Sequence, residues 1–305
     1  MPHYLGIEIG GTKIQLLLAD EDLKIIQRFR YRVEPQAGAE GICKNIQNTL
    51  SEIEVSIAAI GVGFGGPIDR STGKVFTSYH INGWSDFALK AWLEKISGAN
   101  VVVDNDANVA ALGEALRGTG KDFQTVFYVT LGSGVGSGLV QNGKVYHGAI
   151  PGETEFGHVR LNKSGTTVQA SCSGWAVDEK IRTAAKASPR SQLALLTKGL
   201  QQNEATILGK ALEAGDSQAR HIFDSTLDDL AFGLSHAIHL FHPDVVILGG
   251  GLSLLGDILR SSVEAKVENY LMDAFRSSMQ IRLSSFKEDA VTVGAIVMAI
   301  QNFKH

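Results

Sequence analysis

GIEIGGTK (Gly6–Lys13) and TLGSGVGSG (Thr130–Gly138) are the two stretches on which the reading of this sequence turns. Each is a glycine-rich turn set between apolar runs: LGIEI and KIQLLLA flank the first, VFYVTL and VGSGLV the second. An apolar run, a Gly/Thr/Ser turn and a second apolar run predict a hairpin with no bulky side chain at its tip. Such a tip lets backbone N–H groups and hydroxyls approach an anion closely. One such tip is only a turn. Two alike, roughly 120 residues apart, imply an internal duplication with phosphate held between the halves. The chemistry they point to is phosphoryl transfer from a nucleotide.

Outward from these turns, LGIEI, KIQLLLAD and LKIIQRFRYRV read as three successive strands. Residues 37–53 carry helical apolar spacing, and SIAAIGVGFGG reads as a buried strand ending in glycines. A short helix over 87–96, a fully buried strand NVVVD (Asn100–Asp104) and an Ala/Leu-rich helix over 105–117 complete the first half. RGTGKDF is a domain joint, after which the pattern restarts: strand, glycine turn, strand, and NGK as a tight hairpin turn before VYHG. A long helical stretch is expected over 176–241, then DVVILGGG as a buried strand and an apolar helix over 294–303. Strands alternating with helices in two similar halves predict a two-lobed α/β protein with a cleft between lobes. The expected lobes are 1–117, joined by the C-terminal helix at about 290–305, and 118–289.

Composition narrows the function classes. A hydrophobic content of 44% with 20% charged residues is that of an ordinary soluble protein with a sizeable core. A net charge of −4 and the lack of a basic run give no footing for nucleic acid. No uncharged apolar stretch has the length of a membrane span, and the N-terminus lacks a charged-then-apolar leader. Two cysteines, Cys43 and Cys172, make no disulfide framework, so a cytoplasmic location is expected.

VDNDAN (Val103–Asn108) is where the chemistry concentrates. A buried strand ends here and a helix begins, and ligands of α/β proteins bind at the carboxyl ends of strands. Helix capping explains one polar residue at such a place, Asp104 or Asn105. It explains Asp104, Asn105, Asp106 and Asn108 together poorly. A carboxylate at a helix start can accept a hydroxyl proton as a general base.

Together these segments resemble the ROK family of sugar kinases, within the actin-like, hexokinase-like ATPase superfamily. Matching segments run nearly end to end: IGGTK, GVGFGGPID, NDANVAALGE, TLGSGVGSGLV, EFGH, VVILGGG and DAVTVGA. The resemblance implies two RNase-H-like lobes, ATP with Mg²⁺ in the cleft, a sugar near the hinge, and a homodimer. By position it implies Asp106 as catalytic base and Asn105, Gly66, Glu155, His158 and Glu179 as sugar contacts. Gly10, Gly11, Thr12 and Lys13 match the first phosphate loop, and Gly132, Ser133, Gly134 and Gly136 the second. Gly249, Gly250 and Gly251 match the loop flanking adenosine, and Glu8 the acidic residue associated with Mg²⁺.

The chain departs from the family pattern in places. Glu8 stands where Asp is usual, Gly65 where proline is usual, and His80 where Asn is common; His80 is read as exposed. Many family members bind structural zinc through three cysteines and the EFGH-type histidine. Here Ala170 and Val177 occupy two of the cysteine positions, and His158 with Cys172 is too small a set for a closed site. No structural zinc is expected. Trp175, Ala176 and Val177 are expected to fill that space with apolar packing, with Cys172 a small buried hydrophobe. His236, His239 and His242 fall at helical spacing near a helix end and read as no metal face; Phe232, Leu234, Ile238 and Leu240 read as packing, and Asp228–Leu230 as a solvated helix face.

The expected activity is ATP-dependent phosphorylation of a hexose hydroxyl, with the 6-OH of glucose first. N-acetylhexosamine or fructose kinases on the same scaffold are alternatives, as is a non-catalytic sugar sensor or transcriptional regulator. The last is disfavoured because the sequence starts at the first phosphate loop with no DNA-binding segment before it, and keeps Asp106 and both loops.

Overall fold

The first three apolar runs form an antiparallel meander, β1 (His3–Ile9), β2 (Lys13–Asp20) and β3 (Ile25–Arg32), with Ile9 opposite Ile14 and Glu8 opposite Gln15. The structure is a computed structural model describing residues 1–78, 81–149, 154–276 and 278–303. From Tyr4 to Ile9 every residue of β1 is buried, as expected of a strand covered on both faces, where apolar runs are continuous rather than alternating. Helix α1 (Gly38–Glu52) buries Ala39, Ile42 and Ile46 on one stripe. Strand β4 (Ile57–Phe64) returns parallel to β1. A two-stranded ribbon, β5 (Ile68–Asp69) and β6 (Lys74–Val75), precedes α2 (Leu89–Ser97), which stops at Gly98 in a left-handed conformation. Strand β7 (Asn100–Asn105) pairs parallel with β4 and runs directly into α3 (Asp106–Arg117). The sheet order is β3-β2-β1-β4-β7.

The same order recurs in the second half. Strands β8 (Thr125–Leu131), β9 (Val135–Gln141) and β10 (Lys144–Tyr146) come first. Asn142 and Gly143 both take positive φ between β9 and β10, as a tight two-residue hairpin requires. Helices α4 (Val168–Cys172), α5 (Gly174–Ala187), α6 (Gln192–Leu196), α7 (Leu208–Glu213) and α8 (Ser217–Phe241) follow. The single helical stretch expected over 176–241 is thus broken. The breaks have local causes: Ser191 and Asp216 cap new helices, Asp216 accepting from both Gln218 N and Ala219 N at 2.9 Å, and Gly199 and Gly215 take positive φ. Strand β11 (Val245–Gly249), α9 (Asp257–Val267), α10 (Asp273–Arg276), β12 (Ile281–Leu283) and α11 (Ala290–Phe303) complete the chain. This sheet runs β10-β9-β8-β11-β12, with β11 parallel to β8 and β12. A meander followed by two parallel strands beyond its first strand, twice, is the duplication that the paired glycine turns implied.

Two compact units result: Met1–Gln124 with Gly138–Thr154 and Asp289–His305, and Thr125–Ser137 with Glu155–Glu288. The first therefore takes in residues 138–154, which the sequence reading placed in the second lobe. The reason is packing on α3: a Cβ on Gly138 would stand 2.6 Å from the Ala111 Cβ, and Val145 packs with Leu112 and Leu116. Helix α11 closes the first unit. Glycine permits its close approach, because a Cβ on Gly61 would stand 2.6 Å from the Ala295 carbonyl carbon, and one on Gly294 2.6 Å from that of Val109 on α3. Its start is fixed by Asp289, which accepts from Gln15 Nε2 at 2.5 Å and from Arg28 Nη2 at 2.8 Å. Those donors and the Arg30 charge hold the Asp289 carboxyl below its usual range in spite of burial, which alone would raise it. Among the described residues no helix is long and apolar enough to cross a membrane.

Candidate functional site

In the first unit the sequence-predicted residues converge on the carboxyl ends of β1, β4 and β7. The β1–β2 turn is closed by Gly10 N donating to Lys13 O at 3.1 Å, and Thr12 is exposed at its tip. Glu8, on the last turn of β1, is only 7% exposed and pairs with Lys13 Nζ at 3.1 Å. Burial pushes its carboxyl up from the ordinary range; Lys13 and, more weakly, Arg30 oppose the shift, and Asp289 adds to it. A buried carboxylate with one lysine beside it is a site that favours added positive charge.

At the β7–α3 junction the four polar residues divide their work. Asn105 is the helix cap: its Oδ1 accepts from Ala107 N at 2.9 Å and from Asn108 N at 3.4 Å. Its Nδ2 reaches Gly66 O at 3.4 Å. Asp104 is buried; its Oδ1 accepts from Asn105 N at 2.7 Å and Asn108 Nδ2 at 3.3 Å, and its Oδ2 lies 2.6 Å from His147 Nε2. Desolvation pushes its carboxyl up, against the Asn105 N–H, the Asn108 amide and the Arg70 charge. Asp106 is half-buried, with Oδ1 accepting from Ala107 N at 2.8 Å. Gly65 locates its other oxygen. The point that a Cβ on Gly65 would occupy is 3.3 Å from Asp106 Oδ2, 3.4 Å from Ile9 O and 3.6 Å from Gly10 Cα. Gly65 N also donates to Ile9 O at 2.9 Å, a bond that the proline common at this place in the resembling family could not make.

The second unit builds its own cradle. Gly132 O accepts from Gly174 N at 2.7 Å, so the β8–β9 turn lies against the start of α5, which Ser173 caps by accepting from Ala176 N at 3.1 Å. Ser133 is exposed at the tip. Gln169 Oε1 accepts from Val135 N at 3.1 Å and would stand 2.7 Å from a Cβ on Gly134. Gly250, at φ +78, lies over the end of β8, where a Cβ would come within 2.5 Å of the Leu131 carbonyl carbon. Thus Gly132–Gly136, Gly249–Gly251 and a helix N-terminus share one face, an arrangement of backbone donors suited to anions.

In EFGH the inner pair is structural and the outer pair is presented. Phe156 is buried edge-on to Phe127 at 5.8 Å, and a Cβ on Gly157 would run into the Val135 carbonyl. Glu155 and His158 are left exposed with Oε2 and Nε2 4.0 Å apart. Glu179 is exposed on α5, where its Oε2 accepts from Arg182 Nε at 3.2 Å and Nη2 at 3.0 Å; Arg182 Nη1 binds the buried Glu204 at 2.9 Å.

Several expectations change. Trp175 does not fill the space near Cys172: it is 46% exposed, because only Val177 of that trio lies on the buried stripe of α5. Cys172 is fully buried with its thiol toward Thr226 O at 3.4 Å, and Lys180 Nζ pins the same spot through Ser171 O and Thr226 Oγ1, both at 2.9 Å. Leu240 is not packed but 78% exposed at the end of α8. There His242 stacks on Phe275 at 4.0 Å and His239 Nε2 accepts from Met272 N at 3.2 Å, so these histidines have aromatic and backbone partners. Asp228 accepts from Tyr270 Oη at 3.0 Å. His80 lies outside the described residues. Sequence reasoning did not single out His147, Arg182 or Glu204. The partners of His147 and Glu204 are 43 and 22 residues away, beyond any local pattern, whereas Arg182 stands i+3 from Glu179 on α5, a spacing that the sequence does offer.

A model of the ROK family matches residues 4–302. A glucokinase of Thermotoga maritima is 32% identical over 301 residues, covering 95% of each chain. An N-acetyl-D-glucosamine kinase of Aliivibrio salmonicida is 30% identical, covering 82% of this chain and 84% of that one. Among solved structures, a ROK family glucokinase from Streptomyces griseus, in complex with glucose and AMPPNP, superposes with a TM-score of 0.88 at 29% identity, covering 98% of this chain and 99% of that one.

Proposed function

The chain belongs to the ROK family, and from that premise we propose that it is an ATP-dependent sugar kinase that phosphorylates the 6-hydroxyl of glucose. The observation that carries the reading is the proximity of Asp106 Oδ2 and the start of the first glycine turn, Gly10 Cα, at 3.3 and 3.6 Å from the Cβ point of Gly65. A proton acceptor next to a backbone anion cradle is what transfer to an alcohol needs. The reaction is mostly positioning and charge stabilisation, with one base for the hydroxyl proton.

Each unit has its share. In the first, Gly10, Gly11, Thr12 and Lys13 bind phosphate, Asp106 takes the proton, and Asn105 and Gly66 face the sugar. In the second, Gly132, Ser133, Gly134 and Gly136 bind phosphate, Gly249–Gly251 flank the adenosine, and Glu155, His158 and Glu179 accept and donate to sugar hydroxyls. The donors of Asn105 and the acceptors of the two glutamates suit hydroxyl groups, and such a site discriminates strongly against an analogue lacking one.

Mg²⁺ supplies charge neutralisation to the phosphates when bound with ATP. The donor set fits it: Glu8 is a buried carboxylate whose charge stays costly in spite of Lys13 and the weaker pull of Arg30, and an outer-sphere contact to a divalent cation would offset that cost. Family membership supports a cytoplasmic homodimer, and a net charge of −4 without a basic run in the sequence favours no nucleic-acid partner.

The test is ADP release with Mg²⁺-ATP against glucose, fructose, mannose, N-acetylglucosamine and N-acetylmannosamine, for wild type and Asp106→Asn. We expect turnover on glucose, reduced at least about 10²-fold in the variant with sugar binding retained. Turnover confined to another sugar replaces glucose as the substrate. Undiminished turnover in Asp106→Asn overturns the base assignment, and sugar binding without turnover in wild type returns the sensor reading.

A further inference from the structure

Asp104 is the carboxylate of the VDNDAN cluster that neither capping nor the proposed proton transfer uses, yet it is the more deeply placed of the two. Its side chain is 9% exposed, and both oxygens are engaged. Oδ1 holds the Asn105 N–H at 2.7 Å and the Asn108 amide at 3.3 Å; Oδ2 lies 2.6 Å from His147 Nε2. His147 follows β10 directly, in the segment of the first unit that leads toward Glu155. We propose that Asp104 and His147 are a positioning pair that fixes the direction in which the chain leaves β7, and with it the aim of the Asp106 carboxylate.

The physical argument runs through the backbone. Asp106 is joined to Asp104 by a single residue, and that residue's N–H is held by Asp104. A carboxylate anchored only by groups of its own turn can rotate with them. The His147 contact ties it to the segment directly after β10, 43 residues away, so the turn is referenced to a distant part of the chain rather than to itself. At 2.6 Å the imidazole nitrogen and carboxyl oxygen form a short hydrogen bond whichever of them carries the proton, and burial from water strengthens it. Asn105 then caps α3 from a fixed start, and Asp106 opens the helix with its Oδ2 beside Gly65. Near-attack geometry is sensitive to this: a displacement of about 1 Å at the reacting groups can cost about 10²-fold in rate. Neither residue touches the reacting atoms in this scheme; both act through Asp106.

The proposal rests on Asp106 being the base of a sugar kinase, and its test separates the two. The full-length protein is prepared as wild type, His147→Phe, which keeps the ring but removes the donor, and His147→Gln, whose amide can still donate to Asp104. Two readouts are taken: kcat and KM on the sugar that the panel identifies, and amide hydrogen exchange of 105–108. We expect His147→Phe to lower kcat about tenfold with KM for ATP changed less than about twofold, His147→Gln to restore most of kcat, and exchange at 105–108 to accelerate in the Phe variant only. Unchanged kcat in His147→Phe, or no recovery in His147→Gln relative to it, overturns the pair as a positioning device. Wild type without turnover on any sugar defeats the kinase reading instead; the exchange measurement then still decides, since unaltered protection in His147→Phe overturns the pair and accelerated exchange supports it.

Discussion

Gly294→Ala sets two effects of known size against each other. Gly294 lies inside α11, where alanine is favoured over glycine by about 0.8–1 kcal/mol of helix propensity. On propensity alone the variant gains stability. The structure predicts the reverse. The new Cβ would stand 2.6 Å from the Val109 carbonyl carbon of α3 and closer still to its oxygen, where real Cβ atoms essentially never come within 3.0 Å. The struck group is backbone, so no rotamer change relieves it, and the helices must separate by about 1 Å. Overpacking of that kind costs about 1–3 kcal/mol, and a rigid obstacle belongs at the upper end. The net expectation is a loss of about 2 kcal/mol, or about 4–8 °C in melting temperature for a chain somewhat larger than those on which the scaling is drawn. Activity falls more than stability, because α3 begins at Asp106 and a shift of that size reaches its carboxylate. Gly251→Ala is the control for stability alone, since nothing lies within 4 Å of its Cβ point but its place in the proposed adenosine loop leaves its turnover out of the comparison. Gly113→Ala meets the same helix pair from the other side: its Cβ would face Gly294 Cα at 2.7 Å, again backbone, so it should also lose stability, though less than Gly294→Ala. Thermal unfolding by circular dichroism reads all three, with parallel turnover assays for the two helix variants. A Gly294→Ala protein that melts at or above wild type refutes the reasoning, because propensity would then outweigh a contact that the structure makes impassable.

Glu8→Gln is expected to stabilise the fold above the ordinary glutamate range while abolishing Mg²⁺-dependent turnover. Burial raises the folded carboxyl above its unfolded value, so the folded state binds that proton more tightly and wild-type stability declines as pH rises through the shifted value. The advantage of the variant should vanish below about pH 4, where both states are protonated; denaturant unfolding at pH 4 and pH 8 measures it, and an equal difference at both pH values contradicts the assignment. Both cysteines should resist a thiol reagent in the native protein near pH 8, since burial pushes the Cys43 thiol up to about 11 and the Cys172 thiol up to about 12. Two equivalents should react in denaturant, and rapid native labelling of Cys172 would show that α4 and α5 open readily.

Legibility divided along a physical line. The long strand runs of both halves read correctly, the covered ones because they are apolar on both faces, and the glycine turns because their spacing is local, whereas β5, β6 and β12, of two or three residues each, carried no such run. The repeat of strand order followed from two similar tips. The stretch 176–241 misread because apolar periodicity continues through short helices whose ends are set by single caps, Ser191 and Asp216, and by positive-φ glycines. Trp175 and Leu240 misread for a related reason: a large apolar side chain at helical spacing is assigned to the core unless the face it occupies is known. The assignment of 138–154 to the first unit was invisible because it depends on Gly138 meeting Ala111 on a helix that precedes it by nearly thirty residues.

The VDNDAN cluster shows where local reading stops. Its four polar residues point to function by their number, and that inference needs only the sequence. Their division of labour needs contacts from elsewhere in the chain. Asn105 and Asp106 occupy adjacent positions with similar local claims to the cap, and the geometry gives the stronger one to Asn105, whose Oδ1 spans two N–H groups. Asp106 holds Ala107 N on Oδ1 and places its Oδ2 beside Gly65. Had Asp106 taken the cap, its charge would be spent on the helix N-terminus and its basicity lowered by those donors. The neutral amide at 105 therefore does more than begin a helix. By satisfying two of the orphan N–H groups of α3 without a charge, it takes over the capping that a carboxylate one residue later would otherwise supply, and the proposed anchor of this arrangement is the buried Asp104 with His147.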